Sequence, residues 1–368
     1  MVIVINSKKS MGFTVFLATL MFIIALSRPS STVIYIREAL DICGSAVIPA
    51  LFPFTVLTGI ITSNISTQSG GILFSLISKI FKISTVSVSA LLLGMVCGFP
   101  IGGKIAVDLY KKNLISQEEA ERLIAFTNNT GPAFSIGVVG CVIFGNISLG
   151  VLIYSTQIIT SLVAGFILGY KKKMPHKLFT ENSASKTAIS KNISDASSAV
   201  LSVCGFVIFF YFTVQCIGDI IPFPIFKIIT AALLEVSCGA SEAAGIADPC
   251  VASALAAFSV GWSGLSVHMQ LSSFLIGTDL SMKKYYLTKF ICGLVNFIIV
   301  FLFVKLNRFS IKQETDYQVF VFTAVRNGPI LVTAVVIIYI FSFILAQLEK
   351  KKNICYNTDI GIRKGIQK

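Results

Sequence analysis

Charge is what this sequence is short of. Only 13% of its 368 residues are Asp, Glu, Lys or Arg, about half the share of a soluble domain. So few charges cannot cover the water-facing surface of a chain this long, which excludes a set of large soluble domains. Histidine occurs twice and tryptophan once. The nine cysteines include no Cys-x-x-Cys pair and no His/Cys cluster, so neither a zinc site nor a disulfide framework is indicated. Most of them (Cys43, Cys97, Cys141, Cys204, Cys216, Cys238, Cys292) lie inside apolar runs and read as small packing residues. The HExxH and GxSxG motifs are missing. Gly98–Lys104 resembles a phosphate loop superficially, but Ile105 follows Lys104 where Ser or Thr is required. No catalytic residue, no metal ligand set and no cofactor is therefore expected, and the chain does not read as an enzyme.

Apolar residues are abundant: 55% of the chain, with a mean hydropathy of +0.84. That composition suits a chain solvated by lipid. The expected fold class is an all-α polytopic membrane protein with the lipid bilayer as its main partner. The net charge of +13 does not point to nucleic acid, because no recognition motif accompanies it. The basic residues sit beside apolar runs instead: Lys8 and Lys9, Lys171 to Lys173 with Lys177, Lys283 and Lys284, and Lys350 to Lys352. Short cytoplasmic flanks carry such clusters. The first apolar run, about 11–26, ends in Ser27-Arg28-Pro29, a poor cleavage site, and reads as an uncleaved first span.

Further apolar segments fall at about 42–63, 72–82, 85–97, 133–145, 148–169, 197–221, 225–238, 249–260, 265–277, 285–304 and 328–349. A crossing needs about 20 apolar residues, which 42–63, 148–169, 197–221, 285–304 and 328–349 supply. The others stop at polar breaks: Gly98-Phe99-Pro100 after 85–97, Asn128-Asn129-Thr130-Gly131-Pro132 before 133–145, Cys238-Gly239-Ala240 after 225–238, and Gly261-Trp262-Ser263-Gly264 between 249–260 and 265–277. Backbone groups freed at such breaks must line protein or a wet cavity. The halves echo each other: Leu91–Gly98 resembles Ala232–Gly239, and Ala125–Gly131 resembles Ala257–Gly264. Two repeats of full spans and broken or re-entrant helices are expected. They would be inverted if Lys8/Lys9 and Lys171–Lys173 share the cytoplasmic side, although the basic stretch 305–326 does not fit that topology. Paired interrupted segments in two halves point to a transporter site near the midplane. The expected parts are a first helix and flank (1–36), a first repeat (37–170), a basic linker (171–195), a second repeat (196–304), and a basic loop with a last helix and tail (305–368).

Gly98-Phe99-Pro100-Ile101-Gly102-Gly103-Lys104, Phe126–Phe134 and Gly264–Gln270 resemble the sporulation integral membrane protein family. Leu51-Phe52-Pro53-Phe54 and Leu234-Glu235-Val236 fit the same pattern. The resemblance spans roughly 37–304 and is of the stage V dipicolinate-transporter type, with two nucleoside-recognition Gate repeats and a distant similarity to concentrative nucleoside transporters. It implies a sporulating bacterium, the outer forespore membrane and movement of dipicolinate (pyridine-2,6-dicarboxylate). A nucleoside or other small-anion carrier, or an assembly factor docking other sporulation membrane proteins, are the rival readings. A homo-oligomer is compatible with each.

The candidate substrate-binding residues are Gly98, Pro100, Lys104, Asn128, Asn129, Thr130, Ser263, Ser266, His268 and Gln270. Lys104 follows a break and either meets an anionic carboxylate beside a helix N-terminus or snorkels to the interface. Asn128, Asn129 and Thr130 offer donors for a planar acid, or merely cap the segment after Pro132. Ser266 and Gln270 share a helical face that His268 does not. Glu235 and Glu242 are candidates for a coupling site or for a charge pair with Lys104.

Overall fold

The computed structural model describes residues 8–64, 71–174, 189–221 and 223–307. Regular structure among them is entirely helical. The expected last span at 328–349, the tail and most of the basic linker lie outside the described residues.

Helix α1 (Lys8–Ser27) is followed by α2 (Pro29–Ile42), with a bend of 108° between Ala18–Ser27 and Pro29–Ser45. Pro29 has no N–H to extend α1, and its fixed φ suits the first position of α2. A π-helical turn, Cys43–Val47, leads into α3 (Ile48–Asn64), which carries Pro53 inside it. The apolar run expected at 42–63 is thus part of a longer, interrupted helix.

The first half continues with α4 (Ile72–Phe81), α5 (Val88–Cys97), α6 (Ile101–Lys111), α7 (Gln117–Thr127), a π-helical segment (Ala133–Ile143) and α8 (Ile147–Gly169). The second comprises α9 (Ile189–Ile220), α10 (Pro224–Leu234), α11 (Val236–Ala244), α12 (Pro249–Trp262), α13 (Gly264–Phe274) and α14 (Lys283–Asn307). Apart from α4, which has no counterpart in the second half, the halves share one order: a leading helix (α3 or α9), two interrupted helices (α5–α6 and α7 with the π segment, or α10–α11 and α12–α13), and a closing span (α8 or α14). Among the described residues four helices are long and apolar enough to cross a bilayer: Ile147–Gly169, Ile189–Ile220, Pro249–Phe274 and Lys283–Leu306. The α1–α2 pair makes up to five if it counts as one span. The chain is an all-α polytopic membrane protein.

Two ion pairs set the relation of the halves. Glu118, in the first turn of α7, pairs with Lys172 just beyond α8 at 2.5 Å. Glu121, one turn on, pairs with Lys284 at the start of α14 at 3.0 Å. So α8 ends on the face where α14 begins, and the two closing spans run antiparallel, as an inverted repeat requires. The hydrogen bond from Lys172 also holds the Glu118 carboxyl below its ordinary value. The same face gathers Lys111 (Nζ to Phe274 O, 2.9 Å), Tyr110 (hydroxyl to Asp279, 2.5 Å) and Arg122 (to Lys82 O, 2.6 Å). Charge is concentrated where water is available and is kept off the lipid-facing flanks, which expose Leu287, Ile291, Leu294 and Ile298 on α14.

One expectation needs correction. The break expected at Cys238-Gly239 lies earlier, at Glu235, and α11 runs unbroken through Cys238 and Gly239. The physical reason is a side-chain cap: Glu235 has extended backbone, and its carboxylate accepts from Cys238 N at 2.8 Å. A carboxylate starts the new helix where a glycine had been expected to end the old one. Helix α9 begins at Ile189, within the stretch 171–195 expected as the linker.

Candidate functional site

In each half the two interrupted helices cross at their interruptions. Gly98, at φ 81°, lies so close to the α7 break that a Cβ there would sit 2.5 Å from Gly131 N. In the second half Gly264, at φ 69°, abuts the α10 break, and its Cβ position is 3.2 Å from Glu235 Cα. The crossings need bare backbone: a side chain at Gly94 or Gly102 would collide with Thr127 O. This close approach lets the freed N–H and C=O groups face protein instead of hydrocarbon. Phe99 and Phe134 join the two crossings, since both pack on the apolar cluster that contains Val236, Ala240 and Val267.

The first crossing lies deep. Asn128 terminates α7, six residues beyond Arg122, the last charged residue of that helix, which is about 9 Å along a helix and matches the position of Lys289 on α14, whose ammonium meets Asn129. A polar network is built there between α7, α8 and α14, and Asn128, Asn129 and Thr130 are all buried. Asn128 Nδ2 donates to the Tyr285 hydroxyl at 3.0 Å. Asn129 Oδ1 accepts from Ser161 Oγ at 2.7 Å and from Lys289 Nζ at 2.8 Å, while its Nδ2 donates to Phe126 O at 2.9 Å. Thr130 Oγ1 bonds Ser135 Oγ at 2.5 Å and also the Gln157 side-chain oxygen. One turn along α8, Thr160 Oγ1 reaches Asn296 Oδ1 at 2.8 Å. The network is under-satisfied: Asn128 Oδ1, Gln157 Nε2 and Asn296 Nδ2 are buried with no partner among the described residues. Turning an amide over exchanges its oxygen and nitrogen but leaves one of the two without a partner.

Beside this network lies an aromatic group. His268 Nε2 donates to Trp262 O, 2.8 Å away, and its ring centre stands 4.1 Å from that of Trp262, 4.9 Å from Tyr285 and 5.2 Å from Tyr286. His268 Nδ1 is buried without a partner among the described residues. Ser266 and Gln270 bond each other at 3.2 Å, and His268 turns away from them towards α14, as helical geometry requires. Ser263, in the left-handed region at φ 74°, is the hinge residue between α12 and α13.

Lys104 is not part of the cluster. It sits on α6 with 27% of its side chain exposed and pairs with Asp108 at 2.8 Å, one turn on. Its neighbour Gly103 faces the crossing instead, against Leu271 and Asn128. Of the two readings of Lys104, substrate contact or snorkelling to water, its part-exposed position and its pair with Asp108 favour the second. Glu242 pairs with Lys227 of α10 at 2.7 Å, and neither it nor Glu235 pairs with Lys104. Glu235, fully buried, is the cap of α11 at the second crossing. Glu235→Gln should preserve this cap, because the amide oxygen also accepts from Cys238 N. Glu235→Leu should lose about 1–2 kcal/mol, read as a lower Tm of the purified protein.

Sequence reasoning missed Lys289, Tyr285 and Asn296 on α14, and Gln157, Thr160 and Ser161 on α8. A signal was present. Tyr285, Lys289 and Asn296 are spaced four and seven apart and so share one helical face, and an ionisable residue inside a 20-residue apolar run is a site candidate by default. By length and hydropathy alone the run at 285–304 reads only as a span.

Comparison with known proteins gives one relationship to set beside this geometry. The chain is 27% identical over 323 residues to "Sporulation integral membrane protein YlbJ" of Bacillus subtilis (strain 168), a match that covers 76% of this chain and 79% of that protein. No family model matches the chain, and no solved structure matches it.

Proposed function

We propose that this protein is a carrier that moves a small anionic molecule, dipicolinate, across the outer forespore membrane during sporulation. One observation carries the reading. Two interrupted helices cross inside the helical bundle and present Asn128, Asn129 and Thr130 to a buried network whose amides are left with unfilled hydrogen-bonding capacity among the described residues. Leaving such groups unpaired costs about 1–3 kcal/mol each, a cost that a bound polar solute removes. The inverted relation of the halves supplies the two-sided framework that alternating access uses. Sporulation enters through the name of the relative, and dipicolinate through the resemblance of the broken-helix motifs. On the positive-inside rule, the face that holds Lys172 and Lys284 is cytoplasmic.

The test is uptake of radiolabelled dipicolinate by proteoliposomes containing the full chain. Saturable uptake above empty liposomes is expected. Competition by uridine with no effect of unlabelled dipicolinate would make the substrate a nucleoside, and no saturable uptake of either would favour an assembly role. Lys104→Ala should transport at close to the wild-type rate in this assay, because its charge is held by Asp108 away from the crossing.

A further inference from the structure

Lys289 is the buried cation that this reading has not used. Its side chain is 1% exposed. It enters α14 six residues after Lys283, about 9 Å along the helix. Its ammonium has one hydrogen-bonding partner among the described residues, Asn129 Oδ1 at 2.8 Å. An ammonium carries three donors. Every ion pair found among the described residues belongs to another group: Arg28–Asp219, Lys104–Asp108, Lys172–Glu118, Lys227–Glu242 and Lys284–Glu121. No described carboxylate thus lies within 4.0 Å of Lys289. Buried charges are otherwise paired or bound to a counter-ion, because isolated burial costs several kcal/mol.

The surroundings also lack a ready neutraliser. Tyr285, one turn earlier on the same face, is engaged by Asn128. Ser161 and Lys289 are both donors to the same Asn129 oxygen. Gln157 and Asn296 add an unpartnered amide atom each to the same network. The arrangement is a positive charge with spare donors and amide groups around it, at the crossing of two interrupted helices.

We propose that Lys289 is the counter-charge for the transported anion and binds a carboxylate of it directly, with Asn129 holding the ammonium in place while the site is empty. The proposal rests on the carrier reading and names the residue that makes the site select an anion.

The experiment measures thermal unfolding of the purified full chain in detergent, with sodium dipicolinate titrated at constant ionic strength and uridine as an uncharged control. The wild type is expected to gain Tm with dipicolinate concentration. In Lys289→Met the same gain should need about 10–100-fold more dipicolinate, the loss of one charge-assisted contact. Without ligand, Lys289→Met should be at least as stable as the wild type, because its chain fills the same volume and Ser161 still donates to Asn129. Lys289→Arg keeps the charge and should keep part of the dipicolinate response.

Three results overturn the proposal. An equal dipicolinate response in wild type and Lys289→Met would place the anion elsewhere and leave the carrier reading standing. A lower ligand-free Tm for Lys289→Met would make Lys289 a structural support. No response in the wild type would remove the anion site. The carrier reading itself would then be decided by uptake of uridine or dipicolinate.

Discussion

Replacing Asn129 by leucine should abolish saturable uptake and destabilise the protein by about 3–5 kcal/mol, the range for removing one partner of a buried charge. Both Lys289 and Ser161 lose their acceptor in this variant, and Phe126 O loses the donor that closes the end of α7. The effect should be strongly non-additive. Adding Lys289→Met removes the stranded charge, so the double variant should recover a large part of the lost stability, while uptake stays absent. A Tm cycle over the four proteins measures this coupling. Equal losses for Asn129→Leu in the two backgrounds would mean that the ammonium does not depend on Asn129.

Gly98→Ala should be the most damaging single methyl group in the first half. The residue sits at φ 81°, where a side chain is strained, and its Cβ would be 2.5 Å from Gly131 N. Strain of about 1–3 kcal/mol adds to overpacking of similar size, and the obstacle is backbone on both sides, with no flexible side chain able to yield. The expected outcome is loss of the monodisperse peak in size-exclusion chromatography. Gly131→Ala is the control on the other side of the same crossing. Its nearest obstacle is Val96 O at 3.2 Å and its backbone is not in the left-handed region, so it should fold with a small drop in Tm. If both variants behave alike, the crossing is not held by the fit at Gly98.

The two variants probe different links of one chain of cause. Gly98 decides whether the interrupted helices can meet. Asn129 decides whether the polar groups brought together there are compatible with a buried charge. A carrier needs both, because a crossing with no polar content offers nothing to a solute, and polar content with no crossing has no shelter from lipid.

What the sequence determined by itself is the solvent and the repeat. Scarce charge and long apolar runs require lipid around most of the chain. The breaks at Gly98–Pro100, Asn128–Pro132 and Ser263–Gly264 are visible because glycine, proline and consecutive amides interrupt helices locally. The break at Glu235 was displaced by four residues, because a carboxylate that caps a buried helix looks in sequence like any other isolated charge. Lys104 and Lys289 show what only the tertiary structure decided. Lys104 follows an apolar run and Lys289 lies inside one, and it is the lysine beside the Gly/Pro break that draws the functional reading. Whether a lysine is neutralised depends on which groups from other helices reach its ammonium. Lys104 has Asp108 one turn away on its own helix, whereas among the described residues Lys289 meets only an amide oxygen contributed 160 residues earlier in the chain. Such long-range pairing is set by how α7, α8 and α14 pack, and no local rule of spacing encodes it.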